Sequence, residues 1–93
     1  MPSTIDQFQF TRPKTVASGK SIMLNVTVTI VGAPKRLSLQ PSQGYQCDPV
    51  SRTYETDGTH VDPIAMVLTG APGECAVTGA LGASDAMDAA EVT

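Results

Sequence analysis

Two cysteines, one histidine, two tyrosines and a scatter of aspartates are the residues of this 93-residue chain whose chemistry could matter. Cys47 and Cys75 are the only thiols, and an even count in a small β-rich chain, if it is exported, reads as one disulfide. They stand 28 residues apart, so a bridge would tie a loop to a strand and contribute about 3–4 kcal/mol on a chain-entropy basis. Two free core thiols, or a thiol pair on a metal, are the alternatives. His60 with a cysteine could in principle form a base and its nucleophile, but no orienting third group or oxyanion-hole motif accompanies it. It reads as a surface histidine in the Asp57–Asp62 loop. Asp57, Asp62, Asp85 and Asp88 could offer oxygens to Ca²⁺, yet none lies in a D-x-[DN]-x-[DN]-G loop. Asp beside Gly is ordinary turn chemistry, so solvated turns are expected and no metal is assigned. Tyr45 and Tyr54 are the two residues that could present rings to a ligand, a sugar above all. No catalytic residue and no cofactor is expected.

Two further motifs are read as inert. Asn25-Val26-Thr27 matches the N-glycosylation sequon, a short pattern that recurs by chance. An isopeptide between Asn25 and Lys14, Lys20 or Lys35 would need the pair buried beside an acid, whereas Asn25 falls on the polar side of its strand.

These residues must be positioned by extended elements. From Ser21 to Ile30, Ile22, Leu24, Val26, Val28 and Ile30 alternate with Ser21, Asn25, Thr27 and Thr29. A period of two with branched aliphatics on one side is the pattern of a strand packed on one face. Leu37 and Leu39 alternate again between Arg36 and Gln40. Arg52 to Thr56 reads as a polar edge strand, followed by Asp57-Gly58 as a hairpin turn. Pro63 to Thr69 is a short, dense apolar run bounded by turn residues. Cys75, Val77 and Leu81 share one side of the next run, and Ala86 to Thr93 is expected to be extended despite its Ala and Met content. The early run Gln7–Thr11 is either an extension or a first strand, broken from the next by Pro13.

About seven short strands with turn signals every 8–12 residues predict an all-β, immunoglobulin-like antiparallel sandwich over residues 1–93. Its core would be the Ile22–Ile30 face packed on Leu37, Leu39, Val67, Val77 and Leu81. Apolar residues form 41% of the chain and charged ones 16%, too apolar for a disordered segment. Net charge is −3, divided into +4 over residues 1–40 and −7 over residues 41–93. That balance argues against nucleic acid or an anionic membrane as partner. No run reaches the ~18–20 apolar residues of a membrane span. The start carries no signal-peptide pattern, and the chain stops inside an expected strand, as a piece cut from a longer protein would.

The order Ser18-Gly19-Lys20, Leu24-Asn25-Val26-Thr27-Val28, then Leu37 through Gly44-Tyr45-Gln46-Cys47 resembles the Ig-like repeat modules of bacterial surface proteins, the conserved-repeat and cell-adhesion-related domains. The resemblance continues through Pro63–Thr69, Ala71-Pro72-Gly73 and Ser84-Asp85 to Val92-Thr93. It departs from that pattern at Tyr45, where Trp is common, and at Asp88-Ala89-Ala90, where an Asn pair is common. It implies a non-catalytic spacer, stalk or adhesive unit of a bacterial secreted or surface protein. Partners would then be neighbouring domains of the same chain, or surface proteins and glycans. A carbohydrate-binding module, or an accessory domain of an exported hydrolase, is the alternative.

Overall fold

The alternation from Ile22 to Ile30 becomes an 11-residue strand in which every second side chain is buried. The computed structural model describes residues 2–11, 14–68, 72–82 and 84–93. Among them the strands are β1 (Thr4–Phe10), β2 (Thr15–Val16), β3 (Lys20–Ile30), β4 (Lys35–Pro41), β5 (Gln46–Asp48), β6 (Ser51–Tyr54), β7 (Gly58–Leu68), β8 (Gly73–Leu81) and β9 (Ser84–Val92). One sheet has the order β1-β3-β7-β5 and the other β2-β9-β8-β4-β6. All pairings are antiparallel except β2 with β9, where Thr15 and Val16 lie parallel to Glu91 and Val92. The first, third and seventh strands face the fourth, eighth and ninth as the A, B, E and C, F, G strands of an immunoglobulin-like sandwich do. The expected fold class is therefore present, with nine strands in place of about seven because β2 and β5 are too short to read as periodic runs.

Between the sheets lie Phe10, Leu24, Val26, Val28, Ile30, Leu37, Ile64, Met66, Val77, Leu81 and Val92, each almost wholly buried. Val67 is not among them. In β7 the even-numbered residues Ile64 and Met66 point inward and Val67 is only half-buried, so the expected phase of that strand was off by one. A near-continuous apolar run hides its own phase, because either set of alternate residues would serve. In β1 the inward residues Ile5, Phe8 and Phe10 are spaced by three and then two, and the pairing with β3 shifts between Ile5 and Gln7 to accommodate that. A one-residue bulge keeps both aromatic rings on the core side.

The chain changes sheet twice at one end of the sandwich. β3 hands over to β4 through Val31–Pro34, and β6 to β7 through Glu55–Asp57. Asp57-Gly58 is thus a corner between sheets and not the hairpin turn expected. Asp57 reaches across to the other corner, where its carboxylate accepts the amide hydrogens of Gly32 (3.2 Å) and Ala33 (2.8 Å). Gly32 has φ 77°, a conformation that costs glycine nothing and aims its N–H at the acid. Those two bonds hold the Asp57 carboxyl below its ordinary range. Ser3 closes the same end: its hydroxyl accepts from the Val31 amide at 2.9 Å, and its carbonyl accepts from the Ser84 hydroxyl at 2.8 Å.

Candidate functional site

One strand carries more main-chain capacity than its neighbours use. The amide of Thr11 donates to the Met23 carbonyl at 2.8 Å, so odd-numbered residues of β3 turn their main-chain groups toward β1. Even-numbered residues then turn toward β7, where Val26 meets Asp62 and Val28 meets His60. Along β7 this leaves Thr59, Val61, Pro63, Ala65 and Val67 with amides and carbonyls directed away from β3. Pro63, which has no N–H, stands at one of these positions, where it costs the ladder nothing. β5 pairs with Ala65, Met66 and Val67 only. From Gly58 to Ile64 the outer edge of β7 has no strand partner among the described residues, and Val61 in its middle is 70% exposed.

Beside this edge, between it and β6 of the opposite sheet, runs an open groove of about 500 Å³. Arg52 and Tyr54 of β6 and His60, Val61 and Asp62 of β7 line it. The Arg52 guanidinium meets the Asp62 carboxylate at 3.0 Å and joins the two sheets across the groove. The rings of Tyr54 and His60 lie 5.0 Å apart and tilted, within the range of aromatic packing. The His60 Nε2 is 2.8 Å from the Thr56 carbonyl, which it can reach as a donor. The Tyr54 hydroxyl is buried with no hydrogen-bond partner among the described residues. Burial first, and then the neighbouring Asp62 carboxylate, push its ionisation far above the usual range, although the two make no hydrogen bond of normal geometry. An unpaired main chain beside a wall bearing a charge pair and an aromatic pair is suited to holding an extended segment.

Several sequence expectations are corrected here. Tyr54 is 4% exposed and belongs to the core, so its ring is no free platform for a ligand, while Tyr45 is half-buried against that core. The register Lys35↔Tyr54 and Leu37↔Arg52 puts Tyr54 on the inward face at the end of β6, while Arg52 and Thr53 stay exposed, which no local pattern in Arg52–Thr56 reveals. His60 is in a strand, not a surface loop, because β7 begins at Gly58. The expected disulfide is absent: Cys47 and Cys75 are free. Cys47 belongs to β5 of one sheet and Cys75 to β8 of the other. The Cys47 Sγ lies 2.9 Å from the sulfur of Met66, its partner in the ladder. Burial, and next the nearby Cys75, push the Cys47 thiol up to about 11. Burial also raises Cys75, against a smaller opposing effect of the Ser42 hydroxyl. Both are therefore protonated and weakly nucleophilic at neutral pH.

The four aspartates go separate ways. Asp57 caps the corner, Asp62 meets Arg52, Asp88 meets Lys14 and the Phe10 amide, and Asp85 is exposed on β9. No group of three or more His, Cys, Asp or Glu residues is arranged to hold a metal among the described residues. Asn25 lies on the outer face of its sheet, between Gln9 and Pro63. The open edge itself went unread in the sequence. Pro63 was its signal, since a proline inside an apolar run marks an edge.

No family model matches the chain, and no curated protein matches it. Solved structures do resemble it. WR4, a member of the MSP family of Caenorhabditis elegans, aligns at a TM-score of 0.56 and 11% identity over 90% of this chain and 97% of its own. SSP-19, an MSP-domain protein of the same organism, aligns at 0.54 and 13% identity over 100% and 99%. The Pseudomonas fluorescens alkylpurine DNA glycosylase AlkC, bound to DNA containing an abasic-site analogue, aligns at 0.63 and 12% identity. That match covers 98% of this chain but 30% of the glycosylase. At these identities the likeness is one of fold: an immunoglobulin-like sandwich.

Proposed function

We propose that this domain is a non-catalytic structural or interaction module of a bacterial secreted or surface protein, positioning its neighbours or docking a partner. The observation that carries the reading is the open edge of β7, where the seven residues Gly58 to Ile64 have no strand on their outer side among the described residues, beside a groove that bridges both sheets. An unpaired edge is a template for another strand, with main-chain hydrogen bonds giving affinity and adjacent side chains giving selectivity. Support from the sequence is the resemblance to bacterial surface repeats over residues 15–93. The sugar-binding alternative loses one of its two rings, since Tyr54 is buried. DNA contact by the glycosylase is not carried over to a chain of net charge −3.

The test is where the protein resides and what it does there. An antibody against the folded domain is expected to label intact source cells or their medium, and the purified domain to dock a partner that protects the Val61 amide from exchange. Antigen confined to the cytoplasmic fraction would overturn the surface assignment, and a Val61 amide left unprotected with every partner would overturn the docking role.

A further inference from the structure

We infer that the outer face of the four-stranded sheet packs on the same face of a second copy of this chain, about a two-fold axis close to the row Gln9, Asn25 and Pro63. The contact is made by side chains of a face, where the docking reading above uses the main chain of an edge, so each can fail alone. The first observation is that β7 is apolar on both sides. Ile64 and Met66 point into the sandwich, while Val61, Pro63, Ala65 and Val67 alternate with them on the outside. A strand with one face in water alternates apolar with polar, whereas a near-continuous apolar run marks a strand covered on both. Met23 of β3 lies beside Ala65 and widens the strip; it is 41% exposed and Val61 is 70% exposed.

The middle of this face is also free of charge. Pairing sets Gln9, Asn25 and Pro63 in one row, with Gln7, Thr27 and Val61 on one side of it and Thr11, Met23 and Ala65 on the other. Among the described residues the acids of the face are Asp6 and Asp48, which stand on its outermost strands. Depletion of charge distinguishes the core of an interface from ordinary surface. The outer face of the five-stranded sheet is the contrast: it bears Arg36, Asp85 and the cross-strand neighbours Glu74 and Glu91, two like charges that need water. For a chain of net charge −3, an uncharged face is where a copy of itself meets least repulsion.

The three central rows are complementary to themselves. A half-turn about the Asn25 row lays each flanking row over the other. Val61 then meets Ala65 of the second copy, and Met23 meets its Thr27, larger against smaller, with each contact made twice. Asn25 meets Asn25, and two carboxamides, each both donor and acceptor, can satisfy one another. Sheets packed in this way lie about 10 Å apart and within about 30° of alignment. Strand spacing and rise make the face about 14 Å by 33 Å over β1, β3 and β7, so about 900 Å² is covered in all. That is at the low end for a specific contact, so the dimer is weak and concentration-dependent.

Sedimentation of the whole chain from micromolar to millimolar concentration, with methyl NMR in a soluble paramagnetic agent, tests the inference. Mass is expected to rise toward the dimer as the Met23 and Val61 methyls lose contact with the agent. Asn25→Lys sets two ammonium groups against each other on the axis and should weaken association about tenfold while the circular dichroism is kept. Thr27→Lys serves the same purpose if Asn25→Lys fails to fold. Thr78→Lys, on the outer face of the other sheet, should leave association unchanged. Val61→Ala should weaken the dimer, and adding Ala65→Val should recover it, since the pair is then exchanged and not lost. A monomer at millimolar concentration overturns the inference, as does a dimer that both lysine variants leave intact or whose Met23 and Val61 methyls stay open to the agent. A monomer in which another protein's strand protects the Val61 amide excludes the second copy at this face and leaves the edge reading standing.

Discussion

Glycine 79 is required by a neighbour and not by its own backbone. A Cβ at that position on β8 would lie 2.6 Å from the Cε2 and 3.0 Å from the Cζ of Phe8, which reaches it from β1 in the facing sheet. The ring occupies the slot that a side chain in phase with Cys75, Val77 and Leu81 would otherwise take. Gly79→Ala must displace a ring wedged among buried side chains, and overpacking of that kind costs about 1–3 kcal/mol. Gly79→Ala is therefore expected to lower the midpoint of urea unfolding, and Phe8→Leu to recover part of the loss in the double variant. Equal and additive losses in a double-mutant cycle would show that ring and glycine do not compete for one space. Neither partner announces the other in the sequence: alternation told that position 79 faces inward, but not that the space there was already filled.

Strands stay in place here through carboxylates at their ends, and that makes them sensitive to acid. Asp57 ties the β6–β7 corner to the β3–β4 corner. Asp88 of β9 accepts from the Lys14 ammonium and the Phe10 amide, fastening β1 to the opposite sheet. Burial opposes ionisation of Asp88, yet the hydrogen bonds from Lys14, Phe10 and Ala89 prevail and hold it below its ordinary range, as the Gly32 and Ala33 amides do for Asp57. Both carboxyls bind protons more weakly when folded, so their contribution is complete above the unfolded value of 3.8 and is lost as pH falls through the lower folded values. The thermal midpoint is expected to fall below about pH 4, and Asp57→Asn with Asp88→Asn to flatten that fall. An unchanged acid limb in the double variant would mean that other groups set it. At this scale the sequence was legible where one face of a strand is greasy, as in Ile22–Ile30. It was illegible at the corners, because Asp57-Gly58 looks the same whether the chain folds back beside itself or crosses to the other sheet. Which edge is left open depends on pairing between segments far apart in the chain, and only Pro63 hinted at it.

The molecule as a whole rests on its aliphatic core, with no covalent tie between the sheets. Among the described residues sixteen make up the buried cluster, and of these only Phe10 and Tyr54 are aromatic. Cys47 and Cys75 are free, so the stabilisation of about 3–4 kcal/mol that a bridge would have supplied must come from packing instead. A small domain has a margin of about 5–15 kcal/mol, so a single deep cavity consumes much of it. Leu24 is 0% exposed at the centre of β3, and Leu24→Ala is expected to cost about 2–5 kcal/mol by denaturant unfolding. Reductant, by contrast, should leave the wild-type midpoint where it is, and non-reducing mass spectrometry of the alkylated, unfolded chain should count two thiols. In the folded chain alkylation at pH 8 should be slow at both, since the Cys47 thiol ionises only near 11 and Cys75 is raised by burial. Because Cys47 releases its proton less readily when folded, stability is full below the unfolded value of 9.0 and declines as pH climbs from there toward 11. A midpoint that drops on reduction, or a mass two hydrogens lighter than the dithiol, would restore the cross-sheet bridge and move part of the stability from the core to a covalent bond.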